Sequence, residues 1–227
     1  MTRLLEIACF SYEAALCAAK AGAHRIELCH NYCVGGLTPL KEDILKLRKE
    51  LNIPLHVIIR PREGNFVYTE QELDHMKHDI AFCRDHDVQG IVFGVLTDQN
   101  TIDTEMNKTL LSLCEGMSTT FHRAIDACAD YDASLETLVS LGFKRVLTSG
   151  GEATVMEGTG KIKQAQKKWG HKIIILPGGG IRSGNLKNIA NETECREFHS
   201  AAIKAGSEMP SEKEIQTMLR LLGNQDV

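Results

Sequence analysis

The sequence predicts a single-domain (β/α)8 barrel of the TIM type, and three observations predict it. Strand-like runs alternate with helix-like stretches from end to end, eight of each in 227 residues. No linker or low-complexity stretch divides the chain, so residues 1–227 read as one domain. The first loop, Cys9-Phe10-Ser11, has no glycine, whereas the competing open doubly wound sheet would carry a Gly-rich first turn.

Strands are expected at 4–9, 24–29, 54–60, 90–95, 118–123, 145–149, 172–177 and 195–199, each a short, largely apolar run. Helical periodicity fills 11–21, 40–51, 69–87, 103–115, 131–141, 153–169, 183–191 and 211–222. Ser11 is placed to N-cap the first helix, and Thr69 with Glu72 forms a capping box for the third. Gly22, Gly116, Gly142 and Gly170 fall where helices should stop.

The strands carry charges that buried parallel strands normally lack. Glu6, Glu27, His56, Arg60, His122, Glu197 and His199 recur at a spacing of two, so they share a face opposite the apolar residues. Burying a charge costs several kcal/mol unless it is paired. A chain that does so on strand after strand has gathered polar groups in one interior. Glu27 and Arg60 are expected to compensate each other there.

Composition narrows the function. The net charge is −4 with no basic stripe, and aromatics are 5%, which argues against a nucleic-acid partner. No apolar run approaches the ~20 residues of a membrane span. The N-terminus has no apolar signal core, so a cytoplasmic location is expected. The eight cysteines are scattered and read as reduced thiols. No organic cofactor is evident.

In this fold the chemistry sits at the C-terminal ends of the strands. The loops there hold Arg60-Pro61-Arg62, His122-Arg123-Ala124-Ile125-Asp126, Thr148-Ser149-Gly150, Gly178-Gly179-Gly180 and His199-Ser200. Glu27, Arg60, His122 and His199 are the candidate catalytic groups, because histidine with a carboxylate partner is an acid–base combination. Glu6, Arg62, Arg123, Asp126, Ser149, Gly150, Gly178, Gly179, Gly180 and Ser200 are the candidate anion- or substrate-binding residues. The glycine run would let backbone N–H groups approach an anion at the start of a helix.

Together these segments resemble the CutC family, which is associated with copper homeostasis. The motifs are Arg25-Ile26-Glu27-Leu28-Cys29, Gly35-Gly36-Leu37-Thr38-Pro39, Ile59-Arg60-Pro61-Arg62, Thr120-Phe121-His122-Arg123-Ala124, Val146-Leu147-Thr148-Ser149-Gly150 and Gly178-Gly179-Gly180-Ile181. The resemblance runs from Leu5 to about Ser200, after which this chain goes to its last helix sooner than many members do. It implies a barrel, a cytoplasmic homo-oligomer and a role in copper handling through Cu(I).

The cysteines that the resemblance implies for copper fall on Cys9 and Cys29, which end neighbouring strands about 4.8 Å apart. Thiolates suit soft Cu(I). Cys33 is a further candidate, and the other cysteines read as packing residues. Two function classes therefore stand side by side. One is copper homeostasis through Cu(I) bound by strand-end cysteines. The other is an enzyme working by acid–base chemistry on a small anionic or phosphorylated metabolite. A purely structural role leaves the polar interior unexplained.

Overall fold

The computed structural model describes residues 3–204 and 206–223. Strands and helices alternate as β1 (Leu4–Cys9), α1 (Tyr12–Lys20), β2 (Arg25–Leu28), α2 (Lys41–Glu50), β3 (Leu55–Ile58), α3 (Glu70–Asp85), β4 (Gly90–Phe93) and α4 (Thr104–Ser112). They continue as β5 (Ser118–Phe121), α5 (Tyr131–Leu141), β6 (Arg145–Thr148), α6 (Thr159–Trp169), β7 (Ile174–Pro177), α7 (Ser183–Thr193), β8 (Glu197–Ser200) and α8 (Glu212–Leu221). Two 3-10 turns, Tyr32–Val34 and Arg123–Ala127, follow β2 and β5.

The eight parallel strands run in the order β7-β6-β5-β4-β3-β2-β1-β8, a nearly closed (β/α)8 barrel. Seven neighbouring pairs are hydrogen-bonded, and β7 and β8 meet without a ladder among the described residues. The expected caps form. The Ser11 side chain accepts from the Ala14 N–H, and Thr69 and Glu72 make a reciprocal capping box. Helix α6 begins at Thr159 rather than 153, because the chain after β6 packs too tightly for a helix. A Cβ on Gly158 would lie 1.7 Å from the Ser149 carbonyl oxygen, so only glycine fits that crossing.

The pleat sorts the side chains. Leu5, Ile7, Ile26, Leu28, Val57, Ile59, Ile91 and Phe93 pack outward against Ala14, Ala15, Ile44, Leu47, Leu73, Met76 and Ile80 of the helices. Each such fully buried aliphatic side chain contributes about 1.5–3 kcal/mol. The opposite face lines the lumen, where Glu6, Arg25, Glu27, His56, Thr120, His122 and Arg145 are all buried. Room for two imidazoles comes from the fourth strand. A Cβ on Gly90 would lie 2.3 Å from the His56 ring, and one on Gly94 2.8 Å from the His122 ring.

The floor of the lumen is a closed ionic network. Register sets Glu6 beside both Arg25 and His199. Arg25 Nε bonds Glu6 Oε2, and Arg25 Nη2 bonds Glu197 Oε2 at 2.7 Å. Arg145 Nε reaches the same Glu197 oxygen at 2.7 Å, and its Nη1 bonds Ser118 and Thr120. Burial opposes the charge on Glu6, yet Arg25, His199 and His56 hold its carboxyl well below the usual range. Burial likewise opposes the charge on Glu197, and Arg145 and Arg25 keep it low.

Breaking such a pair strands a buried charge, which typically costs ~3–5 kcal/mol. Arg25→Met and Glu6→Gln should therefore each lower stability by about that much in urea unfolding. The double variant should lose clearly less than the two losses added, and additive losses would show that the pair is not coupled.

Candidate functional site

The site rises from this floor at the C-terminal mouth. A cavity of about 110 Å³ is lined by Ala8, Phe10, Glu27, Cys29, Gly35, Ile58, Arg60, Phe66, His122, Arg123, Leu147 and His199. Three of the four candidate catalytic residues meet here as side chains with free or shared protons, and the fourth, Arg60, holds the rim.

Strand β2 supplies Glu27 and, two residues on, Cys29; strand β8 supplies His199. The His199 Nδ1 lies 2.7 Å from Glu6 Oε1, and its Nε2 lies 3.7 Å from Glu27 Oε2. Both ring nitrogens thus face carboxylates, the environment of an imidazolium. Burial works against that charge, but Glu27 and Glu6 together raise the His199 pKa. Glu27 moves the other way from a paired surface carboxylate. Burial raises it, with His199 opposing and Glu6 adding to the rise. The Cys29 thiol lies 3.5 Å from Glu27 Oε2, and burial and then that carboxylate push its pKa well up.

On the opposite wall His122 follows β5. Its Nδ1 accepts the Ala124 N–H at 3.3 Å, so the neutral ring carries its proton on Nε2. That Nε2 has no hydrogen-bond partner among the described residues. Burial and then the nearby Arg60 cation lower the His122 pKa to about 3. Phe66 leans on the ring with centroids 4.7 Å apart. His122 is therefore a neutral donor, whereas its sequence context suggested a titrating acid–base group. His56, beneath it, is also held neutral, its pKa lowered by burial to about 3 despite Glu6.

Arg60 does not pair with Glu27, contrary to the sequence expectation. Its guanidinium is taken by loop carbonyls, Nη1 by Val34 at 2.8 Å and Gly36 at 3.1 Å, and Nη2 by Gly64 at 2.9 Å. It staples the loops after β2 and β3 over the mouth. Arg62 lies outside the cavity, bonded to Glu72 at 2.6 Å and to the carbonyls of Glu63, Asn65 and Val67.

The loops expected to bind an anion already hold carboxylates of this chain. Asp126 accepts from the N–H of Ser149 and Gly151 at 3.0 Å each and from the Thr148 hydroxyl at 2.6 Å. It also takes Arg123 Nε at 2.9 Å. Asp126, Ser149 and Gly150 thus form a closed internal turn. At α7, Glu214 takes the Ser183 N–H at 2.7 Å, so that helix start is filled too. Ser200 ends β8 on its outward phase, bonded to Ile181 and Arg182 and turned away from the mouth. Gly178 packs against Leu147 and His199. What remains open at the rim is Arg123, two-fifths exposed, beside Gly179 and Gly180, whose φ values are +93° and +97°.

The structure does not bring the Cys9 and Cys29 thiols together. The strand ends are neighbours, since the Cys29 N–H bonds the Cys9 carbonyl at 2.8 Å, but the pleat turns the side chains apart. Cys9 shares the outward phase of Leu5 and Ile7 in the strand–helix core, whereas Cys29 packs in the lumen with Ile58, Val92 and Phe10. Cys33 is exposed, and all eight cysteines are free thiols. Glu6, Glu27 and His199 each offer a donor atom within 4.8 Å of the others. Arg25 on Glu6 already supplies positive charge to that cluster, and Glu27 and Glu6 favour the protonated form of His199.

Sequence reasoning missed Arg25 and Arg145, the two cations of the floor. Arg25 stands two residues before Glu27, so the same alternation that placed Glu27 inside would have placed it there as well.

Fold and mouth define a (β/α)8 barrel protein with a cavity lined by polar and charged groups at the C-terminal ends of its strands. The model of the CutC family matches residues 3–204, and the chain belongs to that family. It is 42% identical over 199 residues to a mouse copper homeostasis protein cutC homolog, covering 88% of this chain and 73% of that protein. The human copper homeostasis protein cutC homolog is 41% identical over the same shares. A solved CutC structure from Streptococcus agalactiae superposes with a TM-score of 0.84 at 34% identity, covering 88% of this chain and 98% of that one. No helix among the described residues is long and apolar enough to cross a membrane.

The two neutral histidines fix a pH dependence. Unfolded histidine titrates near ~6.5, while folded His56 and His122 titrate at about 3. Between these values the unfolded chain binds protons that the folded chain refuses. Their stabilisation is thus complete above pH ~6.5 and falls as pH drops toward 3. His199 has the opposite sign, contributing below its unfolded pKa and losing that contribution as pH rises through its raised folded value. Urea unfolding from pH 7 to 4 should show His122→Gln with a shallower acid loss than the parent, by about one proton. An unchanged slope would mean that His122 is not held neutral.

Proposed function

We propose that the barrel mouth is the active site of an enzyme that performs acid–base chemistry on a small anionic metabolite. The observation that carries this reading is the arrangement of charge around one cavity. His199, its protonated form favoured by two carboxylates, faces Glu27 on one wall, a neutral His122 donor stands on the other, and Arg123 is at the rim. Neither a packed barrel nor a metal carrier has use for a buried imidazole donor with no acceptor. Arg123, Gly179 and Gly180 are the open rim groups that suit a phosphate or carboxylate.

A second reading is copper handling, the role named for the mouse and human relatives. It is favoured by the Cys29 thiol at the mouth beside Glu27, a soft donor open to a Cu(I) cargo. Cys9 does not join it without a change of strand phase. The eight free thiols support a reducing, cytoplasmic setting. Homo-oligomer formation rests on the family resemblance alone.

Inorganic phosphate and small phosphorylated or carboxylated metabolites should raise the melting temperature, by an amount that follows RT ln(1 + [L]/Kd). Arg123→Ala should abolish the shift and remain folded. No shift with a broad panel would count against the anionic substrate.

Competition with a chromogenic Cu(I) chelator tests the second reading. Cys29→Ser should weaken Cu(I) binding at least tenfold, whereas Cys9→Ser should leave it intact. Equal losses in both would restore the two-cysteine site.

A further inference from the structure

We propose that the mouth catalyses a 1,2-proton shift on a small α-hydroxy aldehyde or ketone bearing an anionic group, with Glu27 as base and the His122 Nε2–H as donor to the carbonyl oxygen. The proposal rests on the acid–base reading above and names its substrate class and its roles.

Glu27 and His122 stand on β2 and β5, with two strands between them, and both line the same cavity. The Ala124 N–H fixes the His122 tautomer, so the group offered by that ring is a hydrogen-bond donor and not a base. A buried donor without a partner typically costs ~1–3 kcal/mol. A carbonyl oxygen would recover that cost, and it would recover more as negative charge develops on the oxygen. Across the cavity the Glu27 carboxylate has no arginine or lysine bonded to it among the described residues; its neighbours are the Cys29 thiol and the His199 ring. It is the lumen carboxylate free to take a proton, since Glu6 and Glu197 are both bound by guanidinium groups.

Size limits the substrate. A water's share of liquid is ~30 Å³, so a cavity of about 110 Å³ holds roughly the few non-hydrogen atoms of a two- or three-carbon reacting segment. An anionic end would reach outward to Arg123, whose Nε and Nη2 are held by Asp126 and Ser149 and whose Nη1 lies toward Gly179. The Arg60 staple and Phe66 close the β2–β3 side of the mouth, with the guanidinium carbon 5.1 Å from the Phe66 ring centre.

The step balances without an added reactant. The Glu27 carboxylate takes the proton from the carbon next to the carbonyl. The C–H pair becomes the carbon–carbon double bond, and the carbonyl π pair moves onto oxygen, which His122 Nε2–H stabilises. Glu27 then returns the proton to the former carbonyl carbon. Nε2 gives its proton to the first oxygen and receives the hydroxyl proton of the second. A neutral imidazole donor opposite a carboxylate base is a recognised pairing for this chemistry.

The test is hydrogen exchange in D2O, with dihydroxyacetone phosphate and D-glyceraldehyde 3-phosphate as probes and the α-hydrogen followed by proton NMR. Wild type should replace that hydrogen by deuterium at least tenfold faster than buffer with one of the two. Glu27→Gln should lose the exchange, and Glu27→Asp, which keeps the charge but retracts it, should be slowed. His122→Phe should lose it, while His122→Gln, whose amide can still donate, should retain exchange and lose isomerisation. Melting temperatures of all four variants show whether each is folded. Exchange that survives Glu27→Gln, or wild type that exchanges neither probe, would overturn the proposal. A phosphate-induced melting shift that persists without exchange would sink the proton shift alone. Loss of both would sink the anionic-substrate reading with it.

Discussion

The contact on which the molecule depends is the Arg25–Glu6 pair at the barrel floor. It lets an otherwise apolar barrel carry charge at its centre. Glu6 then holds His199 from below, and His199 reaches Glu27 at the mouth. Without Arg25, Glu6 would share the lumen with the buried Glu27 and the partly buried Glu197, and like charges in low dielectric do not stay ionised together. The second arginine, Arg145, closes the network on Glu197 and so ties β6 to β8 across β7, which has no ladder to β8 among the described residues.

Above the floor, two devices decide what the mouth can do. One is the assignment of protons. His199 sits between carboxylates that raise its pKa, while His122, buried beside an arginine, stays neutral. The other is internal neutralisation of the loops. Asp126 and Glu214 fill the N–H groups after β6 and at the start of α7, so those turns are rigid walls. The anion-binding capacity that glycine-rich loops suggest is thereby narrowed to the Arg123 rim.

Much of this was legible in the sequence because strand alternation is a strict constraint. Spacing alone places Glu6, Glu27, His56, Arg60, His122, Glu197 and His199 on the lumen face, and the strand and helix order follows from hydrophobic runs and caps. The same rule places Cys9 outside with Leu5 and Ile7, because closeness of two strand ends does not make their side chains face one another. Arg60 was paired with Glu27 by charge. Its actual partners are backbone carbonyls of two loops, and carbonyls leave no trace in a sequence. Asp126 follows the same logic. Its role depends on a 3-10 turn folding back onto the next strand's loop, a contact between positions more than twenty residues apart.

The most direct test of the account is the protonation state of the two mouth histidines, read from imidazole nitrogen shifts and two-bond nitrogen–proton correlations in uniformly labelled protein at neutral pH. The predicted result is His122 as the neutral Nε2–H form and His199 as the imidazolium. A charged His122, a His122 proton on Nδ1, or a neutral His199 would contradict the arrangement of charge from which the proposed chemistry follows.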